Sequence, residues 1–160
     1  MPDIQSATLH TDQPASTEPT EDATYILYAE DNPSDAAFFL RSLDRCDPDL
    51  RIVHCENGML VRDYLLTCID RHQPLPSLVI LDIKMPGMTG LEVLEFIRST
   101  SELHLLPTII LSASAENRDR TRAYSARANA YLVKPERYQQ LKSLVEAIVL
   151  FWIHHNQVPK

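Results

Sequence analysis

The hydrophobic and polar positions of the chain alternate between two rhythms. Short apolar runs rich in β-branched and aromatic residues recur at Tyr25–Ala29 (YILYA), Arg51–Cys55 (RIVHC), Ser77–Asp82 (SLVILD), Pro107–Ala113 (PTIILSA) and Ala130–Val133 (AYLV). Each is read as a strand. Between them lie longer segments whose apolar residues recur three and four apart, the spacing of one helix face. The first opens with Asn32 as an N-cap and Pro33 at the first helical position, with Phe38, Phe39, Leu40 and Leu43 on its apolar face. The second, Gly58–Arg71, carries Leu60, Val61, Tyr64, Leu65, Cys68 and Ile69; the third, Gly90–Ser99, carries Leu91, Leu94 and Ile97. The fourth, Glu116–Ala128, is polar with a weak apolar face. The last, Arg137–Ile153, has Leu141, Leu144, Val145, Ile148 and Trp152 as its core stripe.

Strand and helix therefore alternate five times. This predicts an α/β domain of three layers, a parallel five-stranded sheet between helices, with right-handed crossovers. The run Leu78–Leu81 is apolar on successive positions, as a central strand covered on both faces must be. Residues 1–23, rich in Thr, Ser, Asp, Glu and Pro without an apolar period, are expected to form a disordered tail. The domain is expected over 24–154, with 155–160 as a C-terminal tail.

Sites in open parallel sheets form outside the carboxyl ends of the strands. Here those ends carry Glu30 and Asp31, Glu56 and Asn57, Asp82, Ser112 and Lys134. Strand order 2-1-3-4-5 sets the first strand beside the third, so Glu30, Asp31 and Asp82 share one cleft. Three carboxylates held together repel, and a divalent cation relieves the conflict. All-oxygen ligation suits Mg2+, which keeps waters and leaves room for a phosphate oxygen. Lys134 can neutralise a phosphoryl oxygen and Ser112 can donate to one.

Composition narrows this picture. The 160 residues carry a formal net charge of -7, which argues against nucleic acid as a partner. No apolar run reaches the length of a membrane span, and the N-terminus shows no signal-peptide pattern, so a cytoplasmic protein is expected. Cys46, Cys55 and Cys68 lack CxxC spacing and are expected as reduced thiols. The six histidines fit no metal motif and are expected at the surface or in linkers.

Together, "YAEDNPSDA", "VILDIKMPGMTGLEVLEFIR", "PTIILSA" and "YLVKP" closely resemble the receiver domain of two-component response regulators, over about Tyr25 to Ile153. The resemblance implies a flavodoxin-like fold. It implies Asp82 as the acceptor of a phosphoryl group from a sensor histidine kinase, with Mg2+ held by the side chains of Asp31 and Asp82, by the Lys84 carbonyl and, through water, by Glu30. Lys134 would pair with the acceptor and then with its phosphoryl group. Ser112 would be the switch hydroxyl and Tyr131 the aromatic residue that turns inward with it. The readout would be a shift of the face made by the fourth helix, fifth strand and fifth helix. A cis Lys134–Pro135 bond is frequent in the family, and Gly87 and Gly90 would serve the tight turn. Three positions depart from the family pattern: Thr89 for Asp, Arg127–Ala128 for Gly–Ala, and Glu136 for an apolar residue. None touches the acceptor chemistry. Lys84 and Ser114 flank the site.

No output domain follows the last helix, so a stand-alone receiver is expected. Val149, Leu150, Phe151, Trp152 and Ile153 in succession exceed one apolar stripe. They are either a terminal turn folded onto its own domain or an interface. The terminal Phe151–Trp152 also resembles the small response regulators of cyanobacterial and bacterial phytochromes. That implies a homodimer through this face and a bacteriophytochrome-type kinase as partner. Two rivals remain: a haloacid-dehalogenase-like phosphatase, weakened because Lys84 stands where a second aspartate belongs, and a receiver-like scaffold that is never phosphorylated. The favoured expectation is a signalling module and not an enzyme.

Overall fold

A computed structural model of the chain describes residues 8–9 and 23–159. Its strands are β1 (Thr8–Leu9), β2 (Tyr25–Ala29), β3 (Arg51–Cys55), β4 (Leu78–Leu81), β5 (Thr108–Ser112) and β6 (Ala130–Val133). Its helices are α1 (Pro33–Cys46), α2 (Gly58–Asp70), α3 (Gly90–Ser99), α4 (Asn117–Ser125) and α5 (Tyr138–Ile148), and a π-helical stretch, Val149–His155, continues α5. The sheet order is β1-β3-β2-β4-β5-β6. Its five longer strands are parallel, in the expected order 2-1-3-4-5. The sheet has one strand more than expected, because Thr8–Leu9 pair antiparallel with Val53 and His54 of β3. Residues 1–7 and 10–22 of the expected tail lie outside the described residues.

Alternation along the strands builds two cores. Leu27, Val53, Val79, Leu81 and Ile110 face α2 and α3 and pack with Val61, Leu65, Leu91, Leu94 and Ile97. Ile26, Tyr28, Ile80, Ile109 and Leu111 face α1 and α5 and pack with Phe39, Leu43, Val145 and Ile148. All of β2, β4 and β5 is buried, which is why these segments read as unbroken apolar runs. Among the described residues no helix is long and apolar enough to cross a membrane.

Helix ends follow local chemistry. The Asn32 side chain accepts from the amides of Ser34 and Asp35, and Pro33 fills the first helical position. Thr89 and Glu92 form a reciprocal capping box at the start of α3, so the Thr found where the family often has Asp serves as an N-cap. At the end of α4, Arg127 has φ 67°. Its amide bonds the Tyr124 carbonyl and the Ala128 amide bonds that of Ala123, the Schellman pattern that glycine usually closes. The turn keeps its form without glycine, at the cost of a left-handed arginine.

The sequence pattern extends one α-helix to Ile153, but the structure winds the last seven residues as a π-helix. The Asn156 amide reaches back five residues to the Phe151 carbonyl. Trp152 and Ile153, adjacent in sequence, both pack on the α1–α5 core while Leu150 and Phe151 stay exposed. The five-residue apolar run is thus divided between core and surface.

Candidate functional site

The site is built where three strands end, and main-chain bonds fix each of its key positions. The amide of Glu30 bonds the Cys55 carbonyl, that of Asp82 the Ala29 carbonyl, and that of Lys134 the Ser112 carbonyl. These bonds extend the ladder one residue past β2, β4 and β6. Charged side chains are thereby held on a rigid edge rather than on free loops.

Glu30, Asp31 and Asp82 each offer a carboxylate oxygen, and the three lie within 4.8 Å of one another. Glu30 is 1% exposed and Asp82 7% exposed. Burial, reinforced by the charge of Asp82, pushes the Glu30 carboxyl up to about 7, against the opposing pull of Lys134 and of the Asn32 amide. The Lys134 ammonium bonds Glu30, lies 3.0 Å from Asp82 Oδ2 and lies 3.1 Å from Asp35 Oδ2. Burial alone would lower its pKa, but the Glu30 and Asp82 carboxylates outweigh that and raise it, so the lysine stays charged. One ammonium serves a cluster of four carboxylates. The excess negative charge and the all-oxygen donor set fit a hard divalent cation held by Glu30, Asp31 and Asp82.

The turn after Asp82 depends on two glycines. Gly87 has φ 76°, a left-handed conformation. Gly90 has no room for a side chain, since a Cβ there would lie 1.9 Å from the Asp82 carbonyl oxygen. The Gly90 amide bonds the Ile83 carbonyl and folds the chain back against Asp82.

Ser112 is buried, and its hydroxyl accepts from the Ser114 amide at 3.3 Å. Tyr131 is half-buried, and its hydroxyl donates to the Ser114 carbonyl at 2.8 Å. Ser114 in turn donates to Asp119 Oδ2 at 2.6 Å. The Ser112–Ala113–Ser114 segment therefore ties the Ser112 hydroxyl, at the end of β5, both to Tyr131 on β6 and to the first turn of α4. The Lys84 side chain is exposed. Phe151 and Trp152 lie apart from the site, beyond the far end of α5, with rings edge to face at 4.9 Å. Phe151 is 54% exposed, whereas Trp152 packs partly on its own core. The Lys134–Pro135 bond is trans rather than cis.

Two residues at the site carry no motif of their own, Asp35 and His54. Asp35 bonds Lys134, and its position three residues past the N-cap, in the turn that follows the acidic pair, was the available signal. His54 is not a surface or linker residue. It is half-buried on β3, stacks obliquely on Tyr28 at 5.6 Å, and its Nε2 donates to the Glu30 carbonyl at 2.9 Å. Its register opposite Tyr28 follows from the parallel pairing and could not be read from a motif.

Known proteins share this fold. Residues 26–146 match the response regulator receiver domain model. The chain is 35% identical over 139 residues, 87% of its length and 90% of the relative's, to the probable methanogenesis regulatory protein FilR2 of Methanothrix harundinacea. The Mn2+-bound structure of response regulator Rcp1, a protein of Synechocystis, superposes with TM-score 0.77 at 26% identity, covering 85% of this chain and 99% of that one. The phosphorylated cyanobacterial phytochrome response regulator RcpA superposes with TM-score 0.77 at 28% identity, covering 85% and 98%.

Proposed function

The chain belongs to the response regulator receiver domain family, and from that premise we propose that Asp82 accepts a phosphoryl group from the phosphohistidine of a sensor kinase. The observation that carries this reading is the convergence of Lys134 on Asp82 beside the Glu30–Asp31 pair. Lys134 holds Oδ2 of Asp82, which orients the carboxylate and leaves its other oxygen as the nucleophile. That oxygen forms the new O–P bond as the P–N bond to the donor imidazole breaks. The electron pair of that bond leaves with the imidazole, which takes up a proton. Lys134 then pairs with the phosphoryl oxygens. The proposed cation is Mg2+, held by Asp31, Asp82 and the Lys84 carbonyl, with Glu30 acting through water; when bound it neutralises charge on the phosphoryl oxygens.

Phosphorylation draws Ser112 toward the new group. Through Ser114 the movement reaches Tyr131 and α4, and the α4–β6–α5 face changes its population of states. The protein acts in the cytoplasm by binding rather than turnover. The proposed kinase is of bacteriophytochrome type, supported by the likeness to RcpA. Identity to FilR2 favours a second reading of the input alone, a sensor of another stimulus acting on the same aspartate. A homodimer through Phe151 and the neighbouring Trp152 is also proposed, supported by the exposure of Phe151 and Leu150. Sedimentation that finds only monomer removes it.

Incubation with acetyl phosphate and Mg2+, followed by intact-mass measurement, tests the core reading. A single phosphoryl adduct on the wild type, absent in Asp82→Asn, is expected. No adduct, or one that persists in Asp82→Asn, overturns it. Phosphotransfer that depends on red light when a phytochrome kinase is the donor distinguishes the two inputs.

A further inference from the structure

We infer that Asp35 is a positioning residue for Lys134: it holds the ammonium in the unphosphorylated protein and competes with the phosphoryl group for it. This rests on the reading of Asp82 as the acceptor. The Lys134 ammonium has three protons, and three carboxylates, Glu30, Asp82 and Asp35, stand within hydrogen-bond reach of it. Pairing with a phosphoryl oxygen therefore means that one of these contacts is released.

Burial decides which contact goes. The Glu30 side chain is 1% exposed and keeps the ammonium in a poorly solvated site, whereas Asp82 Oδ2 gives up its charge once the other oxygen carries the phosphoryl group, so Asp35 is the charged carboxylate left that can release the lysine. The Asp35 side chain is 46% exposed, so water replaces the lysine there at little cost. Asp35 also lines a cavity of about 350 Å³ that it shares with Lys134, Tyr28, Phe38 and Tyr138, which gives both groups room to separate. Asp35 lies outside the set of carboxylates that converge for a cation, which is Glu30, Asp31 and Asp82. Its charge therefore acts on the lysine and on the arriving phosphoryl group more than on the metal. Its position is fixed by the cap of α1, since Asn32 accepts from the Asp35 amide itself at 3.1 Å.

The test uses beryllofluoride, which bonds to an aspartate oxygen in the geometry of a phosphoryl group, with Mg2+ and the full chain. The wild type, Asp35→Asn, Asp35→Ala and Asp35→Glu are compared by calorimetry. Both neutral variants are expected to bind beryllofluoride about twofold to fivefold more tightly than wild type, the range of a partly exposed ion pair. Asp35→Glu restores wild-type affinity. The gain of the neutral variants shrinks toward none in 1 M salt, where the charge is screened. Mg2+ affinity without beryllofluoride changes less than beryllofluoride affinity. Unchanged or weaker beryllofluoride binding in Asp35→Asn overturns the inference, as does a Mg2+ affinity that falls with it. If the wild type takes up no beryllofluoride, the reading of Asp82 itself fails, and this is seen before any Asp35 variant is examined.

Discussion

The two ends of β2 both bury polar groups, and they solve the problem differently. At its start, the Tyr25 hydroxyl donates to the Pro74 carbonyl at 2.8 Å and accepts from Tyr64 at 3.2 Å, with the Cys68 thiol at 3.9 Å. Burial pushes all three groups toward their neutral forms, so this end is a closed network of uncharged partners. At the other end, Glu30 and Asp82 are buried beside one ammonium with charge left over. A neutral network that satisfies itself holds the fold. An anionic one that does not satisfy itself is ready for a cation and for a phosphoryl group.

Three changes break or sharpen that contrast. The largest effect is expected from Gly90→Ala. Its Cβ meets the Asp82 carbonyl oxygen, and the clash moves Asp82 or the helix behind it. A loss of about 4 kcal/mol in urea unfolding is expected, together with loss of the phosphoryl adduct. Wild-type behaviour in both assays would show that the turn is softer than its packing indicates.

The next effect is in pH. Without a cation the folded chain keeps the Glu30 proton up to about pH 7, while its ordinary value is 4.5. The stabilisation is full below the ordinary value and is lost as pH rises through about 7, on the order of 3 kcal/mol. Mg2+ competes with that proton, so Mg2+ affinity rises with pH up to about 7 and then levels. Urea melts at pH 5 and pH 8, with and without Mg2+, test this. A Mg2+-dependent gain equal at the two pH values counts against it. The smallest effect is Tyr25→Phe, which leaves the Pro74 carbonyl and the Tyr64 hydroxyl without their partner. It is expected to cost about 1–2 kcal/mol and to leave Mg2+ affinity unchanged. A change in Mg2+ affinity would mean that the two ends are coupled.

The five parallel strands were legible because buried strands must be apolar and their ends must carry whatever chemistry the protein has. Glu30, Asp31, Asp82 and Lys134 could be found for that reason, and they converge as the strand order requires. Asp35 was less legible: its role depends on which face of the first helical turn meets Lys134, and spacing alone does not fix that. His54 looked like any polar strand residue, because its partner is a main-chain carbonyl with no sequence signature. The π-helical winding of 149–155 was hidden as well, since apolar periodicity at the end of a helix does not distinguish hydrogen bonds spanning four residues from those spanning five. Arg127 stands where the family pattern has glycine, but its left-handed backbone shows that the turn itself is kept.

The main-chain bonds that seat Glu30, Asp82 and Lys134 also separate location from reactivity. The place of Asp82 is set by peptide groups that every residue possesses, while the chemistry proposed for it is set by three replaceable side-chain termini. A sequence can therefore drift at those termini, slowing, hastening or silencing the exchange of phosphate, and still arrive at the same architecture. Gly90 is the exception, a position where the frame and the chemistry share one atom's width of space.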